Sequence, residues 1–242
     1  KTMFTCSTHD YVMFFTTRGR TYRLKGYEVP EGSRNSKGMN IVNLLPLEAG
    51  EKVSAMIRVP EYDPDAFLCM VTRKGIIKRT SLDAYRNVRK NGVIAINLDD
   101  DDELAWVRLT SGNDDLLIAT RKGMGIRFNE NDARPLGRTA RGVKAIELRE
   151  GDEVVGMEVL DDAKAVLTVS TTGYGRRSEP SDYRLQSRGG KGTINYRTET
   201  YGDVAAIAVV DESEDVIFIS SDGIIIRIPV SQISTFARPS KG

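Results

Sequence analysis

Ile118-Ala119-Thr120-Arg121-Lys122-Gly123, with Arg127 four residues past the glycine, decides the fold because the chain repeats it. Phe14-Phe15-Thr16-Thr17-Arg18-Gly19 and Met70-Val71-Thr72-Arg73-Lys74-Gly75 are copies. Val169-Ser170-Thr171-Thr172-Gly173 and Ile219-Ser220-Ser221-Asp222-Gly223 keep the same shape. The five glycines lie 56, 48, 50 and 50 residues apart, and each is followed four residues on by an arginine: Arg23, Arg79, Arg127, Arg177 and Arg227. A fixed period of this size is the mark of a repeat architecture.

A second glycine recurs in every repeat, at Gly38, Gly92, Gly142, Gly192 and Gly242, after 19 residues in four cases and 17 in the other. Two further β-rich runs follow it, divided by an acidic turn, as in Gly142–Ile146 and Val154–Val159. Each repeat therefore reads as four short strands, rich in β-branched and aromatic residues and punctuated at hairpin spacing. The first glycine falls in a tight turn, where a positive φ is cheap only without a Cβ. No stretch keeps a helical period. Four-stranded repeats of about fifty residues in series predict an all-β, propeller-like fold, since stacked neighbours cover the faces that one sheet leaves bare. On this reading residues 1–242 form a single domain cut mid-blade at both ends. Four blades are complete, residues 1–8 are the last strand of an earlier blade, and the fifth blade is split. The start at Lys1 rather than Met, with no signal-peptide pattern, is expected of a piece of a longer chain.

Apolar residues make up 40% and charged residues 29% of the 242, as in a soluble globular protein. No apolar run approaches the roughly 20 residues that span a bilayer, so no membrane role is expected. Cys6 and Cys69 are the only cysteines, which fits small buried hydrophobes in a reducing cytoplasm. The net charge is only +1, but it is sorted along the chain. Residues 121–144 carry net +5 and residues 145–162 net −6. Basic 73–90 is likewise followed by Asp99-Asp100-Asp101-Asp102-Glu103, and basic 173–197 by an acidic segment. Radial repetition turns that alternation into a basic belt suited to phosphate backbones. The candidate contacts are Arg73, Lys74, Arg79, Arg89, Arg121, Lys122, Arg127, Arg138, Arg141, Arg176, Arg177, Arg188 and Lys191.

The sharpest motif is Gln186-Ser187-Arg188-Gly189-Gly190-Lys191-Gly192, in which three glycines let the backbone approach a phosphate between two cations. It is not a Walker A loop, because Lys191 is followed by Gly192 rather than Ser or Thr. Catalysis finds no constellation: His9 is the only histidine, and Asp99–Glu103 lacks the glycine and spacing of an EF-hand loop. No metal, cofactor or catalytic residue is therefore expected in these residues. Trp106, Tyr27, Tyr85 and Tyr183 read as packing residues.

Gln186–Gly192 resembles the heptad Q-R-R-G-G-K-G of the gyrase A C-terminal domain family, with Ser187 in place of the second residue. The runs Phe14–Lys25 and Ile41–Glu48 are also similar to that family. The resemblance implies a six-bladed β-pinwheel, about five blades of it here, whose neighbours exchange a strand and whose basic perimeter wraps double-stranded DNA. It further implies an A2B2 heterotetramer of gyrase A and gyrase B proteins. ATP, Mg and the catalytic tyrosine would lie outside these residues, and the setting would be the bacterial cytoplasm. The principal family heptad lies in a blade this sequence lacks, so Gln186–Gly192 would be a later copy. Two alternatives stay open: the corresponding C-terminal domain of topoisomerase IV, and a protein-interaction propeller.

Overall fold

The computed structural model describes residues 2–242 and is all-β apart from one short α-helical turn, Thr198–Tyr201, and brief 3-10 turns. The first repeat contributes β1 (Tyr11–Thr16), β2 (Arg20–Lys25) and β3 (Val53–Val59). The second contributes β4 (Phe67–Thr72), β5 (Ile76–Ser81), β6 (Val93–Ile94) and β7 (Leu104–Thr110). The third gives β8 (Asp115–Thr120), β9 (Met124–Asn129), β10 (Val143–Lys144) and β11 (Val154–Val159). The fourth gives β12 (Ala165–Ser170), β13 (Gly175–Ser178), β14 (Thr193–Ile194) and β15 (Val204–Val210), and the fifth β16 (Asp215–Ile219) and β17 (Ile225–Pro229). The chain divides into two compact bodies, Lys1–Gly112 with Ala133–Val143, and Asn113–Asp132 with Lys144–Gly242.

All five repeats open with the same hairpin. The N–H of Gly19, Gly75, Gly123, Gly173 and Gly223 donates to the carbonyl three residues back, and each of these glycines has φ between 75° and 89°. A hydroxyl at that same earlier position (Thr16, Thr72, Thr120, Ser170 or Ser220) accepts the N–H of the residue after the glycine, at 3.1–3.3 Å. That is why every copy of the pattern has Thr or Ser three residues before its glycine. The first strands of the first four repeats are buried on both faces, whereas β16 is largely exposed. In β1, Met13 and Phe15 face one apolar cluster, while Val12 and Phe14 face another.

The third strand of each repeat does not join its own sheet. The sheets run β3-β1-β2-β6, β10-β5-β4-β7 and β11-β8-β9-β14, so the two-residue strands β6, β10 and β14 each close the sheet of the preceding repeat. Val93 pairs with Thr21, and Thr193 with Gly125. The fourth sheet is three-stranded (β13-β12-β15), and the fifth is the hairpin β16–β17. The expectation of four complete four-stranded blades is thus corrected to three, because each blade's edge strand is lent by the following repeat. Residues 2–10 form no strand, which corrects the reading of residues 1–8 as the end of an earlier blade. Cys69 is buried as expected, whereas Cys6 is exposed.

The second glycine is what lets the lent strand in. A Cβ on Gly142 would sit 2.5 Å from the Ile77 carbonyl oxygen, and one on Gly92 would sit 2.8 Å from the Tyr22 ring. On Gly192 and Gly242 it would press into the carbonyls of Gly125 and Gly175 in the same way. Only a residue without a side chain, at φ between 73° and 100°, brings the backbone that close.

Within the second body two of the first-glycine turns separate conformation from contact. Gly173 has φ 89° and open space around a Cβ, while a Cβ on Gly123, at φ 87°, would collide with the Tyr196 carbonyl. Gly173→Ala should therefore cost only the left-handed penalty, about 1–2 kcal/mol. Gly123→Ala should cost clearly more. Urea unfolding of the two variants checks the order.

Candidate nucleic-acid interface

After its second strand every repeat makes a 3-10 turn: Gly26–Glu28, Leu82–Tyr85, Glu130–Asp132, Pro180–Asp182 and Val230–Gln232. In the second, third and fourth repeats a long acid-free stretch follows, residues 84–98, 133–146 and 183–198, and residues 233–242 of the fifth likewise contain no Asp or Glu. Three cations precede the second glycine in each of the three long stretches: Arg86, Arg89 and Lys90; Arg134, Arg138 and Arg141; Arg184, Arg188 and Lys191. Because the second glycine is fixed against the preceding sheet, each loop is anchored at both ends.

The arginines four residues past the first glycine do other work. Arg79 is 4% exposed and donates to the Ala133 carbonyl at 3.2 Å. Arg127 forms an ion pair with Asp115 at 2.7 Å and donates to the Pro180 carbonyl at 2.9 Å. Arg177, 7% exposed, donates to the Ile233 carbonyl at 2.7 Å and pairs with Glu212. Arg23 donates to Tyr62 Oη and the Arg86 carbonyl. In each case strand two of one repeat is riveted to the loop of the next, which accounts for the arginine register. Arg176 is fully buried and donates to the carbonyls of Ser240 and Asn195. Arg79, Arg176 and Arg177 are therefore out of reach of a phosphate, and Arg127 is committed. This corrects their assignment to the belt: a guanidinium can be buried when carbonyls and carboxylates take its donors.

Three of the hairpin-tip cations, Arg73, Lys74 and Arg121, are paired with acids. The fourth strand runs antiparallel to the first, so the acidic turn before it lands beside the hairpin tip, with Arg73 N–H on the Glu103 carbonyl and Arg121 N–H on that of Glu153. Arg73 then pairs with Glu103 at 3.1 Å, and Lys74 with Asp101. Arg121 lies 4.0 Å from both Glu153 and Asp203, and Lys122 donates to the Glu150 carbonyl. Arg141 grips Asp99 through two 2.7 Å bonds. These hydrogen bonds hold the carboxyls of Asp99 and Asp101 below the usual carboxylate range. The acids expected away from the belt thus sit on four of its proposed members, Arg73, Lys74, Arg121 and Arg141, while the Lys122 ammonium is held by a neutral carbonyl.

What remains available is confined to the acid-free loops. Arg89, Lys90, Arg134, Arg184 and Lys191 are exposed and have no ion-pair partner among the described residues. Arg138 and Arg188 are half-buried, and their partners are mainly neutral carbonyls. Arg138 donates to Ile94 at 2.5 Å, and Arg188 to Lys144 at 2.6 Å and Asp132 at 3.2 Å. Arg238 repeats the bond on Ile194. Each acceptor is the second residue of a lent strand, so these arginines pin the exchange. The register is visible in the sequence as a cation four residues before the second glycine (Arg34, Arg138, Arg188, Arg238), a signal that sequence reasoning missed. In Gln186–Gly192 the parts now separate. Gln186 N–H donates to the Arg127 carbonyl, Gly189 (φ 87°) donates to that of Ala145, and Gly192 packs on β9. Gly190 meets nothing within 4 Å of a Cβ, Ser187 is exposed, and Lys191 is free. Tyr85 and Tyr183 are core residues as expected, whereas Tyr27 is 64% exposed.

Residues 10–60, 66–111, 114–161, 164–211 and 214–242 each match the model of the family described as DNA gyrase C-terminal domain, beta-propeller. The chain belongs to that family. The DNA gyrase A protein of Clostridium acetobutylicum is 56% identical over 138 residues, 57% of this chain and 17% of that protein. The DNA gyrase A protein of Staphylococcus epidermidis is 54% identical over 137 residues, 56% of this chain and 15% of its own length. The chain thus spans less than a fifth of these curated relatives. A solved gyrase A C-terminal domain superposes with a TM-score of 0.84 at 26% identity, covering 98% of this chain and 78% of that one. The crystal structure of the C-terminal domain of DNA topoisomerase IV gives 0.87 at 25%, covering 97% and 74%. No helix among the described residues is long and apolar enough to cross a membrane.

One cation inside the first body titrates in an accessible range. Lys78 is fully buried, and its ammonium donates to the carbonyls of Ala95, Gly137 and Arg138. Burial, helped by the Arg138 charge, pushes its pKa down to about 7. Between that value and the ordinary 10.5 the unfolded chain binds a proton that the folded chain does not. Stability should therefore rise with pH across this window, by at most about 1.4 kcal/mol per unit. Urea midpoints at pH 7, 8 and 9 should climb for the native chain relative to Lys78→Met.

Proposed function

We propose that this chain binds double-stranded DNA without regard to base sequence and bends it over its acid-free loops. The observation that carries the reading is the sorting of cations: Arg89, Lys90, Arg134, Arg184 and Lys191, exposed and without ion-pair partners among the described residues, lie in those loops, while Arg73, Lys74 and Arg121 at the hairpin tips are paired and Arg79, Arg176 and Arg177 are buried. Cations that lack carboxylate partners release counterions from a phosphate backbone, which favours binding at low salt. Contacts to phosphate position a duplex without reading it. Bending 20–30 bp by 40–90° costs on the order of 1–6 kcal/mol, so several loops must share the load.

On this reading the chain serves a gyrase in which two gyrase A and two gyrase B proteins assemble as A2B2, in the bacterial cytoplasm. The bend presents DNA for ATP-driven strand passage, which introduces negative supercoils. The catalytic tyrosine and the sites for ATP and Mg lie outside these residues, so the chain alone has no turnover. The topoisomerase IV domain superposes as well as the gyrase domain does. The relatives at about 50% identity and the heptad favour gyrase.

Unrelated duplexes of equal length should bind within a few-fold of one another. Log K should fall with log salt by about 0.9 for each phosphate contacted, and Lys191→Ala should flatten that slope by about the same amount. A plasmid relaxed by a type I topoisomerase with the chain present should keep a linking-number shift of positive sign. Strong sequence preference with little salt dependence would overturn the reading.

A further inference from the structure

Within the first body, where β6 enters the first sheet, lies a cleft of about 540 Å³ lined by Arg20, Arg23, Arg89 and Arg138 and by no acid. Three of these guanidiniums are held by neutral groups. Arg20 donates to the Asn91 carbonyl at 2.5 Å, Arg23 to the Arg86 carbonyl at 2.6 Å and to Tyr62 Oη, and Arg138 to the Ile94 carbonyl at 2.5 Å. Arg23 also stacks on the Tyr11 ring, 4.3 Å from its centre. Arg89 is exposed and has no partner among the described residues. The nearest compensating charge is Glu48, 3.9 Å from Arg20 and 59% exposed. Carbonyls fix a guanidinium without cancelling its charge, so the cleft is pre-organised and strongly positive. The Nε of Arg20 is moreover buried with no hydrogen-bond partner, a donor that the protein leaves unused.

No other repeat builds this site. The residue after the first glycine is Arg20 here and Ile76, Met124, Tyr174 or Ile224 elsewhere. Nothing in the hairpin turn calls for arginine at that position, since its backbone N–H makes the same bond to the threonine or serine hydroxyl in all five. The loop Asn87-Val88-Arg89-Lys90-Asn91 also departs from Pro-Leu-Gly-Arg-Thr at 135–139, which stand at the same distance from the first glycine in the next repeat. A guanidinium presents planar donors that match phosphate oxygens in pairs, which lysine cannot do.

We propose that this cleft seats a phosphodiester group of the bound DNA backbone and is the strongest phosphate site in the chain, ahead of the loop at Gln186–Gly192. The inference rests on the DNA-binding reading above and deepens it by saying where the duplex is gripped. The apolar edge, where Ile94 is 49% exposed, gives the sugar on one side of the phosphate a surface to lie against.

The test compares two doubly substituted chains on one 30-bp duplex at about 0.1 M salt. Arg20→Met with Arg89→Ala strips the cleft, and Met is the residue that the third repeat uses at that position. Arg184→Ala with Lys191→Ala strips the glycine-rich loop. Arg89→Ala alone removes a side chain without partners, so it reports on the cleft even if Arg20→Met perturbs folding. The cleft pair should lose at least tenfold in affinity and the loop pair less, with Arg89→Ala showing a several-fold loss. Millimolar pyrophosphate should compete with DNA on the native chain and only weakly on the cleft pair. Should the cleft pair bind DNA like the native chain while the loop pair does not, the cleft assignment fails and the DNA reading survives. Should the native chain ignore DNA yet gain thermal stability from pyrophosphate through Arg20 and Arg89, the cleft serves free phosphate compounds. Both the assignment and the DNA reading would then be wrong.

Discussion

The close approach of each second glycine to the strand it meets governs the rest of the structure. A lent strand is only two residues long, too short to hold a sheet edge by its own hydrogen bonds. It stays because Gly92, Gly142 and Gly192 seat their backbones on the preceding sheet, and because an arginine four residues before the last two of these glycines caps the strand end. A Cβ at any of these glycines would move the strand away from its partner. The arginines of the Gly+4 register then secure the same junction from the other side, by donating into the loop that leads to the lent strand.

That connectivity also sorts the charge. The first and fourth strands of a repeat pair with each other, so the acidic turn is carried onto the hairpin tip and neutralises it. The loop between second and third strands reaches over to the preceding sheet, away from its own acids. Exposed ion pairs of the tip kind contribute little to stability, of order 0–1 kcal/mol each. Their larger effect is to remove positive charge from one edge of each repeat. The loops keep most of theirs, Arg141 on Asp99 excepted, and a chain of net charge +1 thereby acquires cationic surfaces.

The period, the first-glycine turns and the strand character of the runs around them are legible in the sequence, because φ requirements and runs of β-branched and apolar residues are local signals. The pairing of the third strand is not. Val93-Ile94 and Val143-Lys144 are too short to carry a period, and nothing local says which sheet they will join. The Gly+4 arginines stand out as a register, but their sequence reads as surface charge. Their burial depends on carbonyls 53–56 residues away in the next repeat, which only the fold brings near. Of the cations that the sequence singles out, Arg89, Arg138, Arg188 and Lys191 survive as candidates for contact, and the fold adds Lys90, Arg134 and Arg184 to them.

The central claim, that strand exchange leaves the loops cationic and the hairpin tips neutral, is tested most directly by removing four charges from each place. One chain carries Arg73→Thr, Lys74→Thr, Arg121→Thr and Lys122→Thr, after the Thr171-Thr172 that the fourth repeat has at those positions. The other carries Arg89→Ala, Lys90→Ala, Arg184→Ala and Lys191→Ala. Both lose the same net charge, so the slope of log K for duplex DNA against log salt compares placement alone. The account predicts a slope flattened by about 0.9 for each loop cation that meets a phosphate, and almost none of that for the tip set. Equal flattening by the tip set would contradict it.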